Sequence, residues 1–420
     1  MKLWNKGIEL NKLIEDFTVG NDYILDKKLI PYDCRGSIAH AMTLKKAGIL
    51  NEVETEQLVN ALEEIKNNGI EIKKEDEDVH TAIENYLIEK SGDLGRKIHT
   101  GRSRNDQVMV DIQLLVRDEI INTHNLAVKL CETLNNFSRE NIVLMPGYTH
   151  MQKAMPSSLQ LLTGSYIESF LDDLLLLETS YEINNKNPLG SAAGYGSSLN
   201  LDRDYSGKLL GFKGNRNCIY VQARPKLIST LIFPLCSFMK TMDKIASDLL
   251  MFTMGEFNFF SLPDEFCTGS SIMPQKKNYD LLELIRGKAS LVHTLMYSVD
   301  MIGNKLISGY NRDYQLTKEA LMKAFDITSK CLEIMGLIFQ NLKVNSEALS
   351  KAISPELFAT DKAYEIVKKG IPFRDAYRQV AENLDKLEIQ NDTFEERDCL
   401  KFRDYTDEIK KRKILQPVVD

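Results

Sequence analysis

Gln107-Val-Met-Val-Asp-Ile-Gln-Leu-Leu-Val-Arg-Asp-Glu-Ile-Ile-Asn-Thr-His-Asn-Leu-Ala-Val-Lys-Leu-Cys-Glu-Thr-Leu-Asn-Asn-Phe137 is the stretch that decides the fold. Val108, Ile112, Leu115, Val116, Ile120, Leu126, Leu130, Leu134 and Phe137 form one apolar stripe along it. Spacings of three and four sustained over about 30 residues are the period of a helix face, and they predict one long amphipathic helix. Ser157 to Glu182 repeats the pattern through Leu159, Leu162, Tyr166, Phe170, Leu174 and Leu177, with Pro156 placed for its first turn. A third pattern starts at Pro225 and runs to about Gly255, with Pro234 as an expected kink. Leu281 to Ile302 and Gln315 to Phe339 supply two more. Five such helices, joined by short or glycine-rich connectors such as Gly190-Ser-Ala-Ala-Gly-Tyr-Gly196, predict a helical bundle.

Outside the bundle the patterns shorten. Before it, a helix pattern through Ala41 and Leu44 ends at Gly48, Asn51 caps a second that stops near Gly69, and Val79 begins a third. No strand alternation is convincing. After Asn345 the periods are short again, and Asp385 to Lys413 is dense in charge with Phe394, Phe402 and Tyr405 interspersed. The expected class is all-α with three domains: 1–105 N-terminal, 106–342 central bundle and 343–420 small C-terminal.

The 420 residues are 43% hydrophobic and 27% charged, a composition with ample apolar content for a large core. A net charge of −7 argues against a general nucleic-acid binder. Seven scattered cysteines without a Cys-x-x-Cys pair argue against a disulfide framework or a zinc site, so no metal is expected. The first residues lack the apolar core of a signal peptide, and the longest near-apolar run, Leu227 to Met239, is too short to span a bilayer. The expectation is a cytoplasmic protein with no membrane partner.

Three polar segments carry chemistry. Cys267-Thr-Gly-Ser-Ser-Ile-Met-Pro-Gln-Lys-Lys-Asn278 packs hydroxyls, ammoniums and an amide into one aperiodic loop. A serine there could act as a base only with its alkoxide held by backbone amides and an ammonium, and the loop offers both. His99-Thr-Gly-Arg-Ser-Arg-Asn-Asp-Gln107 precedes the first long helix, whose positive end and two arginines suit carboxylates or phosphates. Its plain alternative is a helix cap with solvated arginines. Pro146-Gly-Tyr-Thr149-His150-Met-Gln152 reads as a polar loop whose histidine could be a general acid, although taken alone it reads as a plain hydrogen-bonding loop histidine. His80, after the acidic run Glu75 to Asp78, has the same plain alternative at an exposed helix start.

Gly269 to Asn278 resembles the signature of the fumarase/aspartase superfamily, and His99 to Gln107 narrows the resemblance to the argininosuccinate lyase/delta-crystallin family. The likeness continues through Leu3-Trp4, Asp33 to His40, Glu77 to His80, Thr149 to Gln152, Ala359-Thr-Asp361 and Pro372-Phe-Arg374. It implies a fumarase/aspartase-like subunit whose five-helix bundles build a twenty-helix core in a homotetramer. It also implies active sites shared between subunits, and reversible cleavage of argininosuccinate to arginine and fumarate, without cofactor, as the last step of arginine biosynthesis. By position, Ser270 matches the catalytic base, Lys276 and Asn278 the groups that neutralise an aci-carboxylate, His150 the acid for the leaving nitrogen and Glu283 its carboxylate partner. Whether Ser270 or His150 is the base stays open. Ser37, Asp78, His80, Arg102, Ser103, Asn105, Thr149, Tyr310, Gln315 and Lys318 match substrate-contacting positions.

The sequence departs from the family in two places. Tyr279 stands where the family usually has proline, which frees the backbone where the next helix should start, and the C-terminal domain looks shorter than usual. The rivals are a sister lyase for adenylosuccinate, aspartate or malate, against which Arg102 to Gln107 and Gln275 argue, and a non-catalytic structural protein. The second rival predicts a damaged site, whereas the matched residues are intact.

Overall fold

The computed structural model describes residues 11–216, 224–389, 397–412 and 415; Leu3-Trp4, Cys218 and Phe394 lie outside them. Two short helices, α1 (Lys12–Val19) and α2 (Asp22–Leu25), lead into α3 (Ile30–Lys46), α4 (Glu52–Asn68), α5 (Val79–Ser91) and α6 (Asp93–Lys97). Asn51 caps α4 in a capping box: its side chain accepts from Glu54 N–H and the Glu54 carboxylate accepts from Asn51 N–H, both at 2.9 Å. The expected stops are present, with Gly48 and Gly69 at φ 74 and 75°. α3 starts earlier than its periodicity implied, so Asp33 to His40 lies inside it and not ahead of it.

The five long helices follow as α7 (Arg104–Glu140), α8 (Leu159–Asn184), α10 (Arg224–Phe252), α11 (Asp280–Gly303) and α12 (Thr317–Asn341), with α9 (Arg203–Leu209) in the connector. Their apolar faces meet in the main core, where Phe170 and Phe238 stack with ring centroids 6.2 Å apart. Truncating either ring to alanine costs about 3–5 kcal/mol. Pro234 sits inside α10 and cannot donate to the Thr230 carbonyl one turn back. Ser180 Oγ on α8 donates to that carbonyl at 3.4 Å and recovers part of the lost pairing.

Two features correct the sequence reading. Leu144–Thr149 (β1) and Gln152–Ser158 (β2) form an antiparallel hairpin where a polar loop was expected. Pro156 therefore lies in β2, and α8 starts after Ser158, whose Oγ accepts from Leu161 N–H at 3.0 Å. A second small ladder pairs β3 (Phe260–Ser261) with β4 (Lys343–Val344). Beyond it come α13 (Ser346–Ala352), α14 (Ala359–Lys368) and α15 (Phe373–Ala381), the last two sharing a small cluster around Ala376 and Val380. Tyr405 and Ile409 are buried in the main core. Among the described residues, no helix is long and apolar enough to cross a membrane.

Candidate active site

The candidate residues occupy three places in one chain. The first is a buried polar network at the junction of α3, α5 and the start of α7. Gly101, at φ 72°, reverses the chain after Thr100, where a Cβ would come within 2.9 Å of Leu201. Arg102 is thereby turned inward, and its Nη1 donates to Ser37 Oγ at 2.8 Å. Ser37 in turn donates to Asp33 Oδ1 at 2.8 Å, one helical turn back on α3. Asp33 Oδ2 accepts from Gln107 at 2.9 Å and from His80 Nδ1 at 2.5 Å. Burial alone would raise the Asp33 pKa, but the hydrogen bond and charge of His80, with Arg102 and Ser37, hold it down to about 2.

Asp111, fully buried next to it, is driven well above the carboxylate range by burial and by the Asp33 charge. A side-chain hydrogen bond to Asp33 adds to that rise, and one Asp111 oxygen lies 3.6 Å from His80 Nδ1. The two neighbouring carboxyls are thus driven in opposite directions, Asp33 down and Asp111 up. Ligand atoms of Asp33, His80 and Asp111 fall within 4.8 Å of one another. A metal bridge would, however, hold nitrogen and oxygen donors about 3 Å apart, given bonds of about 2.0–2.2 Å to each. The 2.5 Å separation is that of a charge-assisted hydrogen bond.

Ser103 is a helix cap: its Oγ accepts from Asn105 N–H at 3.3 Å and its N–H donates to Asp106 at 2.9 Å. The arginines flanking it are not solvated as a plain cap would leave them. Arg102 is buried, and Arg104 pairs with Asp78 at 3.3 Å and Glu77 at 3.5 Å. Asp106 also accepts from Gly190 and Ala192 N–H, at 3.1 and 2.8 Å, which ties the glycine-rich connector to this loop. Burial pushes Asp106 up to about 6 against those donors. Burial, together with the Arg102 and Arg104 charges, depresses His99 to about 4.

Beside this network lies a cavity of about 130 Å³, to which Asp78, His80, Asn105, Tyr310, Gln315 and Lys318 all contribute. Lys318 pairs with the buried Asp26 and, at 3.2 Å, with Asp22. Gln315 donates to the carbonyls of Thr18 and Val19, each at 3.2 Å. The sequence reading gave no role to Asp33, Asp111, Asp22, Asp26 or Arg224, which line or support this region. The spacing of Asp33 and Ser37, one helical turn apart, was the available signal for the first.

The second place is the hairpin turn. His150 and Met151 take φ 52 and 59°, the left-handed pair of a two-residue turn, and Thr149 pairs with Gln152. Neither is glycine or asparagine, so the turn holds backbone strain of about 1–3 kcal/mol per residue. It presents Thr149 and His150 to solvent. Glu283, in the exposed first turn of α11, borders a groove shared with Tyr148 and Met151, and no hydrogen bond joins it to His150.

The third place is the 267–278 loop. Thr268 and Asn278 exchange backbone hydrogen bonds of 3.0 and 2.9 Å that pinch its base. Lys277 pairs with Asp264 at 2.5 Å, and Thr268 Oγ1 bonds Asp280. Tyr279 occupies the cap position of α11 without a side-chain cap, and its ring packs against the main core. Ser270 Oγ accepts from the N–H groups of Met273 at 3.1 Å and Ile272 at 3.4 Å, the arrangement that would hold an alkoxide. Asn278 Nδ2 donates to the Gly269 carbonyl at 3.2 Å. Lys276 is exposed, with no ion pair among the described residues.

A protein-family model described as Lyase matches residues 7–293. An argininosuccinate lyase of Thermotoga neapolitana is 42% identical over 388 residues, covering 91% of this chain and 98% of the relative. One from Bacteroides fragilis is 42% identical over 398 residues, covering 93% of this chain and 89% of its own length. Among solved structures, EDDS lyase in complex with formate superposes with a TM-score of 0.79 at 23% identity, covering 97% of this chain and 84% of that one. The class II fumarase of Schistosoma mansoni does so with a TM-score of 0.76 at 16% identity, covering 96% and 95%. These two likenesses show the mostly helical fold.

Proposed function

We propose, from the premise that this chain belongs to the argininosuccinate lyase family of the lyases, that it cleaves argininosuccinate reversibly into arginine and fumarate. The observation that carries the chemistry is the Ser270 hydroxyl oxygen, held by two backbone N–H groups in a loop whose Lys276 ammonium has no ion pair among the described residues. Ser270 takes a proton from the succinyl carbon next to the one bearing nitrogen. The resulting charge spreads onto the adjacent carboxylate as an aci-carboxylate, neutralised by Lys276 and Asn278. The carbon–nitrogen bond then breaks, and its electron pair stays on the guanidine nitrogen. His150 protonates that nitrogen, directly or through water, with Glu283 as the carboxylate that orients it. The alternative in which His150 is the base uses the same groups with the proton transfers exchanged.

Ser37, Asp78, His80, Arg102, Ser103, Asn105, Thr149, Tyr310, Gln315 and Lys318 complete the substrate contacts. The reaction draws on no metal or organic cofactor. Within one chain the three groups of residues stand apart, and we assign the complete site to a homotetramer in which three subunits contribute one group each. Exposed apolar side chains on the long helices support this: Leu175 on α8, Phe233 on α10, and Leu284, Leu291 and Tyr297 on α11. The domain limits 1–105, 106–342 and 343–420 and a cytoplasmic location belong to the same reading. Ser270→Ala is expected to lower fumarate release from argininosuccinate by about 10²- to 10⁴-fold with the fold intact. Near-normal turnover in that variant would remove Ser270 from the base role.

A further inference from the structure

The connector Gly190-Ser-Ala-Ala-Gly-Tyr-Gly196 takes no part in the proposed chemistry, yet its backbone is tightly built. Asn187, just ahead of it, and Ser191, within it, are each 0% exposed. Asn187 Nδ2 donates to the Arg203 carbonyl at 3.0 Å and to Ser206 Oγ at 2.9 Å, and its Oδ1 accepts from Leu189 N–H at 3.1 Å. The Ser191 carbonyl accepts from Gly194 and Gly196 N–H, each at 2.9 Å. Ala192 stands at φ 48°, a left-handed conformation that a residue with a side chain keeps only where the surrounding structure imposes it. In that conformation its N–H and that of Gly190 converge on Oδ2 of Asp106.

Asp106 is the third residue of α7, and its Oδ1 accepts from Ser103 N–H in the capping box of that helix. Capping needs only that bond. The two bonds to the connector span 84 and 86 residues of chain, and the side chain that makes them is 0% exposed. A buried carboxylate that gathers three backbone donors from two segments fixes those segments against each other. The far end of the connector meets a third segment, where the Tyr195 hydroxyl stands 3.3 Å from the place of a Cβ on Gly309, next to Tyr310. Asn105 and Tyr310 both line the cavity of about 130 Å³. The connector therefore links two segments that carry candidate substrate contacts.

We infer that Asp106 is a positioning residue for the cleavage reaction: beyond capping α7, it clamps the turn that carries Ser103, Arg104 and Asn105 to the glycine-rich connector. It touches neither substrate nor reacting atoms and acts through the placement of that turn. A displacement of about 1 Å in groups that orient a substrate can cost about 10²-fold in rate, so a brace behind the turn has a kinetic consequence. This rests on the proposed function and adds to it the connector, whose glycines then serve the site and not only the chain path.

Asp106→Glu separates the cap from the brace. Glutamate at the third helical position still closes a capping box with Ser103, but its extra methylene carries the carboxylate past the Gly190 and Ala192 N–H groups. The variant should keep its thermal midpoint within about 4 °C of wild type. Its KM for argininosuccinate should rise about tenfold or more, with kcat within about threefold. A merely destabilised protein would instead lose kcat through its inactive fraction and keep its KM. Amide hydrogen exchange over residues 187–196 should be faster by about tenfold or more in the variant, with α8 unchanged. Asp106→Asn, which offers one acceptor oxygen in place of two, should show the same pattern and decides the matter if the glutamate variant does not fold. A wild-type KM in the variants, or a loss carried mainly by kcat, would overturn the inference while leaving the proposed function standing. Wild-type protein that releases no fumarate from argininosuccinate would overturn the proposed function itself. The brace would then be read from exchange alone, and unchanged exchange over 187–196 would overturn it.

Discussion

Asp33 shows how one side chain can organise several others. Its two oxygens tie together Ser37, His80 and Gln107, and through Ser37 they reach Arg102. A carboxylate held at about 2 against an ordinary 3.8 favours the fold by about 2 kcal/mol at neutral pH. Because its pKa is depressed, that contribution is full above about pH 4 and is lost as pH falls towards about 2. Asp33→Asn should therefore be less stable than wild type at pH 7 by about 2 kcal/mol, with the gap closing in acid. Denaturant unfolding at pH 7 and pH 3 measures this, and a gap that stays constant would contradict it. The sequence showed Ser37, His80 and Arg102 as separate matches. Of their common anchor the sequence showed only its place one helical turn before Ser37, because Asp33 meets His80 and Gln107 only after α3, α5 and α7 pack together.

Among elements, the long helices were legible and the hairpin was not. A helix of 37 residues writes its period many times, so α7 was readable from Val108 to Phe137. The β1–β2 hairpin has two short strands interrupted by Pro146, Gly147 and Pro156, and its turn is His-Met instead of Asn-Gly. Neither strand alternation nor turn chemistry announced it. Met151→Gly is expected to stabilise the protein by about 1 kcal/mol, since glycine takes the left-handed conformation without strain and Met151 is exposed. A lower thermal midpoint in that variant would show that the turn is not strained. The 267–278 loop was recognised as an aperiodic functional segment. Its internal order, with the base pinched at Thr268 and Asn278 and Ser270 inside the turn, came only from the structure.

At the scale of the whole molecule, a single chain presents three separate groups of candidate residues and long helices with exposed apolar side chains. If copies complete one another's sites, mixing an inactive His150→Asn protein with an inactive Ser270→Ala protein should restore partial activity, because some mixed sites receive neither substitution. Properly mixed assemblies with no recovered turnover would contradict shared sites. The fold class followed from periodicity alone, whereas the proposed division of the site between copies has no signature in one chain's hydrophobic pattern. The most direct test of the account is to incubate the purified protein separately with argininosuccinate and with adenylosuccinate and to follow fumarate. Release from argininosuccinate, with arginine formed in equal amount and none released from adenylosuccinate, is the predicted result. Fumarate from adenylosuccinate alone, or from neither compound, would contradict it.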